Sequence, residues 1–389
     1  MIQLSDKSSI FTDSVIRRMT RVCAQYDAIN LSQGFPDNNP PKEILESLAK
    51  VAFNGPHQYA VTWGAYNTRY ALARKIEHFS GLKVDENTEL CITCGGTEAM
   101  MAAVMATLNP GDKAAIFSPF YENYGADAIL CGVTPIYVPL HEPDFTFDEK
   151  ELEKAFIDGA KALILCNPSN PTGRVFTLEE LSVIAHLAEK YDAFVITDEV
   201  YEHIVFTPNK HIYFAALPNM RERTVVCNSL SKTYSITGWR IGYVFSTPEV
   251  IDRVRKVHDF LTVGAAAPLQ EAIVAGLNLK DDYYQSLQKE YTHRRDIFLN
   301  GLDEIGLKYF TPQGSYFVLV DISEFNYDSS LDFCYDLAKY VKVGAVPGSS
   351  FFADNNQKYI RFHFAKSEEV LHNALGNLKT LRDKIKIKA

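Results

Sequence analysis

The sequence has no apolar run of the roughly 18 residues that a bilayer-spanning helix needs. Its most apolar stretch, residues 90–108, is broken by Gly95, Gly96 and Glu98, so no membrane anchor is expected. Positive charge is scarce as well. Lys and Arg total 39 against 48 Asp and Glu, a formal net charge of -9, which repels a phosphate backbone and disfavours nucleic acid as a partner. The seven cysteines are an odd number without the spacing of a small disulfide scaffold, and the opening MIQLSDKSSIF has no apolar signal core. Both point to a reducing cytoplasm, and no metal is expected. What remains is ordinary globular composition: 47% hydrophobic, 12% aromatic and 22% charged over 389 residues, enough for two or three structural units around a cleft.

Short apolar runs alternate with helix-length amphipathic segments from about residue 90. Residues 90–94, 114–117, 136–139, 162–166, 194–197, 225–227 and 241–245 read as strands. ALILC and AFVIT are apolar throughout, as strands covered on both faces by helices must be. A mostly parallel α/β sheet flanked by helices follows, with ligands expected at the carboxyl ends of its strands. After about Asn278 the pattern changes to long charged helices, 283–304 and 331–340, around short strands at 316–320 and 359–362. The expected division is a large α/β domain over 46–278 and a smaller α+β domain built from 1–45 and 279–389. The basic close, LRDKIKIKA, reads as a solvated tail.

Four segments fall at predicted strand ends. Ser229-Leu-Ser231-Lys232 and Thr237-Gly238-Trp239-Arg240 lie in an expected loop, where a lysine amine could condense with an aldehyde and an arginine fork with a serine hydroxyl could bind phosphate. Gly95-Gly96-Thr97 opens an expected helix at 98–108, giving an anion cradle or simply a tight turn with Thr97 as N-cap. Asn167-Pro-Ser-Asn170-Pro-Thr-Gly173 follows ALILC, and its Asn-Pro steps form a rigid turn or plain punctuation. In Thr197-Asp198-Glu199-Val200-Tyr201, Asp198 ends a buried strand, so it asks for a cation unless it caps a helix. Cys91 and Cys94 would face opposite sides of a strand, which argues against a joint role. Met100, Met101 and Met105 read as core filler.

Together these segments resemble the fold type I pyridoxal phosphate enzymes, specifically the class I/II aminotransferases. SLSKTYSITGWRIGY, NPSNPTG and DEVY carry the likeness, which runs in family order from Leu31-Ser-Gln-Gly34-Phe-Pro-Asp37 to Arg361. The resemblance implies pyridoxal 5'-phosphate bound to Lys232 as an imine, with Asp198 pairing its protonated ring nitrogen. Tyr201 and Asn170 would bond the ring's phenolic oxygen, and Tyr121 would stack on the ring. Gly96, Thr97, Ser229 and Arg240 would hold the phosphate, with Tyr59 reaching it from the partner subunit of a homodimer. Arg361 would clamp the substrate carboxylate, aided by Asn170 and the Gly34 backbone. The plainer readings are packing for Tyr121 and Tyr59, and a surface arginine on an edge strand for Arg361.

The implied activity moves an amino group from an L-amino acid to a 2-oxo acid in a ping-pong cycle, with Lys232 shuttling the proton. A C-S β-lyase uses the same constellation and stands as an alternative. A regulator would need a DNA-binding domain for which the chain has no room, and a dead scaffold is disfavoured by the intact motif residues. INLSQGFPDNNPP and HQYAVTWGAYN are similar to the branch of kynurenine, glutamine, methionine and aromatic aminotransferases. That favours a neutral or aromatic donor, with aspartate aminotransferase as the other reading. A dicarboxylate would call for a second arginine, and the sequence assigns none.

Overall fold

In the computed structural model, which describes residue 4, residues 6–9 and residues 13–385, eight strands form one sheet. Their spatial order is Leu90–Thr93, Gly242–Phe245, Thr224–Ser229, Phe194–Asp198, Ala160–Cys166, Lys113–Ser118, Thr134–His141 and Thr146–Phe147. The strands from Thr224–Ser229 to Thr134–His141 run parallel, and the other three join antiparallel. Successive residues serve opposite faces. Leu163 and Val195 pack with the helix Leu178–Lys190 on one side, while Ile164 and Ile196 pack with the helix Gly96–Thr107 on the other. Each strand must therefore be apolar on both faces, which is why ALILC and AFVIT do not alternate. In-register pairing sets Cys166, Asp198 and Cys227 side by side at one sheet edge.

A second, antiparallel sheet has Tyr359–His363 between Phe317–Asp321 and Val346–Pro347. Its core joins Met19, Phe298, Phe362 and Leu371, contributed by the helices Val15–Tyr26, Asp281–Ile305 and Glu368–Leu378 and by the middle strand. Ile29–Asn30 pairs parallel with Val343–Gly344, so residues near the two ends of the chain share one body.

Several local expectations are corrected. Lys232 lies in a short helix, Leu230–Thr233, capped by the Ser229 side chain, and not in a loop. The helix after the glycine turn starts at Gly96 and ends at Thr107, with Gly95 as N-cap, so Thr97 has no capping role. The stretch expected as one helix over 331–340 is Ser330–Asp336 followed by a wider π turn at Leu337–Val341. Met100 is buried, but Met105 is exposed and fills no core. Arg361 stands on a middle strand and is 1% exposed, which removes its surface reading. Part of the opening MIQLSDKSSIF and residues 386–389 of the basic close lie outside the described residues.

Candidate active site

The ends of the parallel strands open on a cavity of about 500 Å³ that also reaches the second sheet through Phe317 and Arg361. Gly95 and Gly242 shape its anion end. Gly95 has φ +84°, a region open to glycine with little strain. A Cβ on Gly242 would overlap the Gly95 carbonyl carbon, so the two backbones can touch only without side chains. Here the first N–H groups of the helix Gly96–Thr107 face the cavity beside Thr97, a ready seat for a phosphate. Arg240, at φ +57°, spends its guanidinium only on carbonyls, those of Thr237 at 3.1 Å and Cys94 at 3.4 Å. The Ser229 hydroxyl bonds Ser231 Oγ at 2.8 Å and the Ile241 carbonyl at 3.0 Å, so it is already engaged within the fold, and Ser231 lines the cavity with it.

Asp198 ends its strand inside the cavity wall. Burial raises its carboxyl pKa, opposed by the Tyr124 hydroxyl, which donates at 2.6 Å, and the Val200 N–H at 3.3 Å. No cation forms an ion pair with it among the described residues; Lys232 acts on it only through the field. Lys232 Nζ donates to the Gly34 carbonyl at 3.1 Å and lies 5.7 Å from the Tyr316 ring centroid. Tyr201 is buried edge-on to Tyr316, with centroids 5.1 Å apart. Tyr121 lines the cavity in a T-shaped contact with Tyr124.

Arg361 is the converse of Asp198. Its Nη1 donates to Asn170 Oδ1 at 2.6 Å and its Nη2 to the Ser32 carbonyl at 3.1 Å, while Nε has no partner among the described residues. The guanidinium lies 4.0 Å from the Phe317 centroid and 4.6 Å from that of Phe351. Burial brings its pKa down to about 10, and no carboxylate closes an ion pair with it among the described residues.

The cavity thus brings together Gly34, Gly96, Thr97, Tyr121, Asn170, Asp198, Tyr201, Ser229, Lys232, Arg240 and Arg361. Tyr59 is not among them and is 87% exposed. Among the lining residues to which the sequence reading gave no role are Tyr124, Asp127 and Arg17. Tyr124 and Asp127 follow Tyr121 at helical spacing, and an acid within the apolar NYGADAIL was the signal available for Asp127. Arg17, on the helix Val15–Tyr26, reaches the cavity only through the fold, and its guanidinium has no partner among the described residues.

A half-buried carboxyl group without an ion pair, a buried guanidinium without one, an amine held by one carbonyl and a glycine-lined helix start in one cavity suit a ligand of matching charges. Pyridoxal 5'-phosphate and an amino acid together offer a ring cation, an aldehyde, a phosphate and a carboxylate, so these residues fit them.

The profile of the family described as aminotransferase class I and II matches residues 26–378. The chain is 35% identical to the methionine aminotransferase of Escherichia coli K12 over 95% of this chain and 96% of that protein. It is 34% identical to human kynurenine–oxoglutarate transaminase 3, over 91% of this chain and 85% of that one. The solved N-succinyldiaminopimelate aminotransferase of Mycobacterium tuberculosis superposes with TM-score 0.94 at 34% identity, covering 97% of this chain and all of that one (100%). An aspartate aminotransferase double mutant from Thermus thermophilus superposes with TM-score 0.90 at 28% identity, covering 98% and 100%. This chain belongs to the class I and II aminotransferases, pyridoxal 5'-phosphate-dependent transaminases of fold type I.

Proposed function

We propose that the enzyme transfers the amino group of a neutral or aromatic L-amino acid to a 2-oxo acid by a ping-pong cycle, as a cytoplasmic homodimer. The observation that carries this reading is that Asp198 and Arg361, neither in an ion pair among the described residues, share one cavity with Lys232. When bound, pyridoxal phosphate supplies an aldehyde for the amino group and a protonated ring that accepts the electrons of the breaking Cα–H bond. Asp198 supplies the fixed negative charge that keeps the ring nitrogen protonated, and Tyr124 orients that carboxylate through its 2.6 Å bond. Lys232 Nζ would hold the aldehyde, and its amine, when free, could move a proton at the substrate Cα as base and then acid. Tyr201 and Asn170 bond the phenolic oxygen, and Tyr121 stacks on the ring. The turn at Gly96 and Thr97, with Arg240, would hold the phosphate, and the Ser229 hydroxyl would join it by giving up its bond to Ser231 or Ile241. Arg361 grips the substrate carboxylate through its free Nε and its Nη groups, with Asn170 and the Gly34 backbone beside it, which fixes the direction of the Cα–H bond.

Ile16 and Phe35 line the outer cavity and suit an apolar donor side chain. Arg17 there is the second arginine that the sequence did not assign, and it favours a dicarboxylic 2-oxo acid as acceptor. Among relatives, the names methionine aminotransferase and kynurenine–oxoglutarate transaminase support both halves of this reading. The homodimer is supported by exposed apolar side chains at Phe53, Tyr59, Val61, Tyr66, Phe260 and Val263. Tyr59 would then reach the partner's phosphate site. The division into 46–278 and 1–45 with 279–389 is proposed on the two sheets and their cores. Seven free thiols support the cytoplasm, and no helix among the described residues is long and apolar enough to cross a membrane. A donor and acceptor screen tests the substrate reading: phenylalanine, methionine and glutamine should outpace aspartate. Aspartate turning over far faster than all three, or keto product arising only from β-elimination, would overturn it.

A further inference from the structure

Asp127 is used by none of the steps above, yet it faces the same cavity. It lies on the helix Asn123–Leu130, one turn beyond Tyr124, and is 4% exposed. Its Oδ2 has no hydrogen-bond partner, and no cation pairs with it among the described residues. An ionised carboxylate in that state is costly.

The groups acting on it come from each element around it. From the neighbouring strand end, Asp198 raises the Asp127 pKa. From the next strand, the Cys227 thiol is coupled to both acids and is pushed far up, mainly by burial. From its own segment, the phenols of Tyr121 and Tyr124 are raised by burial and stay neutral. Lys232 acts on Asp198, and Met100 brings no charge from the helix Gly96–Thr107. Support for the two acids is unequal: Asp198 receives the Tyr124 hydroxyl and the Val200 N–H, whereas Asp127 Oδ2 receives nothing. Two carboxyl groups sharing an enclosed site divide one charge between them, and the better-solvated one keeps it.

We propose that Asp127 is a positioning residue for the cofactor ring: it forms a carboxyl pair with Asp198 in which Asp127 holds the proton and Asp198 the charge. Below about pH 7 the free cavity thus carries one negative charge, and once Asp127 ionises a second joins Asp198 beside the ring cation. The proposal rests on the aminotransferase reading above. In the free protein, burial and Asp198 bring Asp127 to about 7. A ring cation arriving beside Asp198 favours the ionised form of Asp127, so binding draws that proton off near pH 7 and gains from the second charge above it.

The test compares wild type with Asp127→Asn, which fixes a neutral, near-isosteric group in place. The first measurement is the dissociation constant of pyridoxal 5'-phosphate for the apoprotein, read from cofactor absorbance. Near pH 6 the two proteins should agree within about twofold, and near pH 8.5 wild type should bind at least about threefold more tightly. The second is the melting temperature of the apoproteins. The folded value lies above the unfolded one, so wild type should lose stability as pH rises from about 4 to about 7, and Asp127→Asn should not. A constant affinity ratio across this range overturns the proposal even if both proteins bind cofactor, and so does a parallel melting profile. Failure of wild type to bind cofactor at all would instead sink the aminotransferase reading, whatever the melting profiles show.

Discussion

Arg361 and Asp198 are recognisable as site residues because each lacks, among the described residues, the counter-charge that a charge withdrawn from water requires. Arg361 has one nitrogen without a partner among those residues and two ring faces packed against its plane, so its task depends on a flat fork and not on charge alone. Arg361→Lys should raise KM for both amino acid and oxo acid by roughly ten- to a hundredfold while leaving cofactor affinity close to wild type. Steady-state kinetics beside a cofactor titration checks this; an unchanged KM would contradict the assignment. With its pKa brought down to about 10, the cation is lost as pH rises past that value, so KM should climb there and not below. Asp198 was legible because it ends an apolar strand at the sheet edge, and Lys232 because its motif, SLSKTYSITGWRIGY, resembles that of the class I/II aminotransferases. Asp127 and Arg17 were not, since a single acid on a short helix and an arginine on an amphipathic one look like surface, and only the fold buries Asp127 and sets the exposed Arg17 at the cavity.

At the scale of elements, the phosphate end depends on two backbones in contact. Gly242 opens a strand antiparallel to its neighbours and abuts Gly95. Gly242→Ala should therefore force those backbones apart, costing about 1–3 kcal/mol of stability and weakening cofactor binding by at least tenfold. Chemical denaturation with a cofactor titration tests it, and a variant as stable and as tightly loaded as wild type would contradict the contact. Strand positions were readable to within a residue or two because double-sided burial leaves no polar alternation to blur them. Helix starts were less so: Gly95 caps where Thr97 was expected, since close approach to Gly242 outweighed side-chain capping there. The helix around Lys232 is only Leu230–Thr233, too short for periodicity to announce it.

For the molecule as a whole, Tyr59, Phe53 and Phe260 are 87%, 89% and 92% exposed, apolar area that a second copy would cover. The loop and the helix that carry Tyr59 and Phe260 are joined through His258, whose Nε2 lies 3.0 Å from the Thr62 carbonyl while Nδ1 meets Glu98 Oε1 at 2.7 Å. That network runs from the apolar face to the phosphate turn, because Glu98 also accepts the Cys94 N–H. Sedimentation should therefore give a dimer that persists on dilution, and a stable, active monomer would contradict the shared-site reading. The second sheet, with strands between residues 317 and 363, follows the change of pattern after Asn278, whereas the pairing of Ile29–Asn30 with Val343–Gly344 was not legible, because two-residue strands leave no pattern to read.

One lysine amine, that of Lys232, and one carboxyl group, that of Asp198, are proposed to hold the ring of vitamin B6 in this cavity. Borohydride reduction of the protein loaded with pyridoxal 5'-phosphate, followed by peptide mass spectrometry, tests this most directly. The account predicts a single covalent adduct, on the peptide containing Lys232, that disappears in Lys232→Ala; an adduct on another lysine, or none at all, would contradict it.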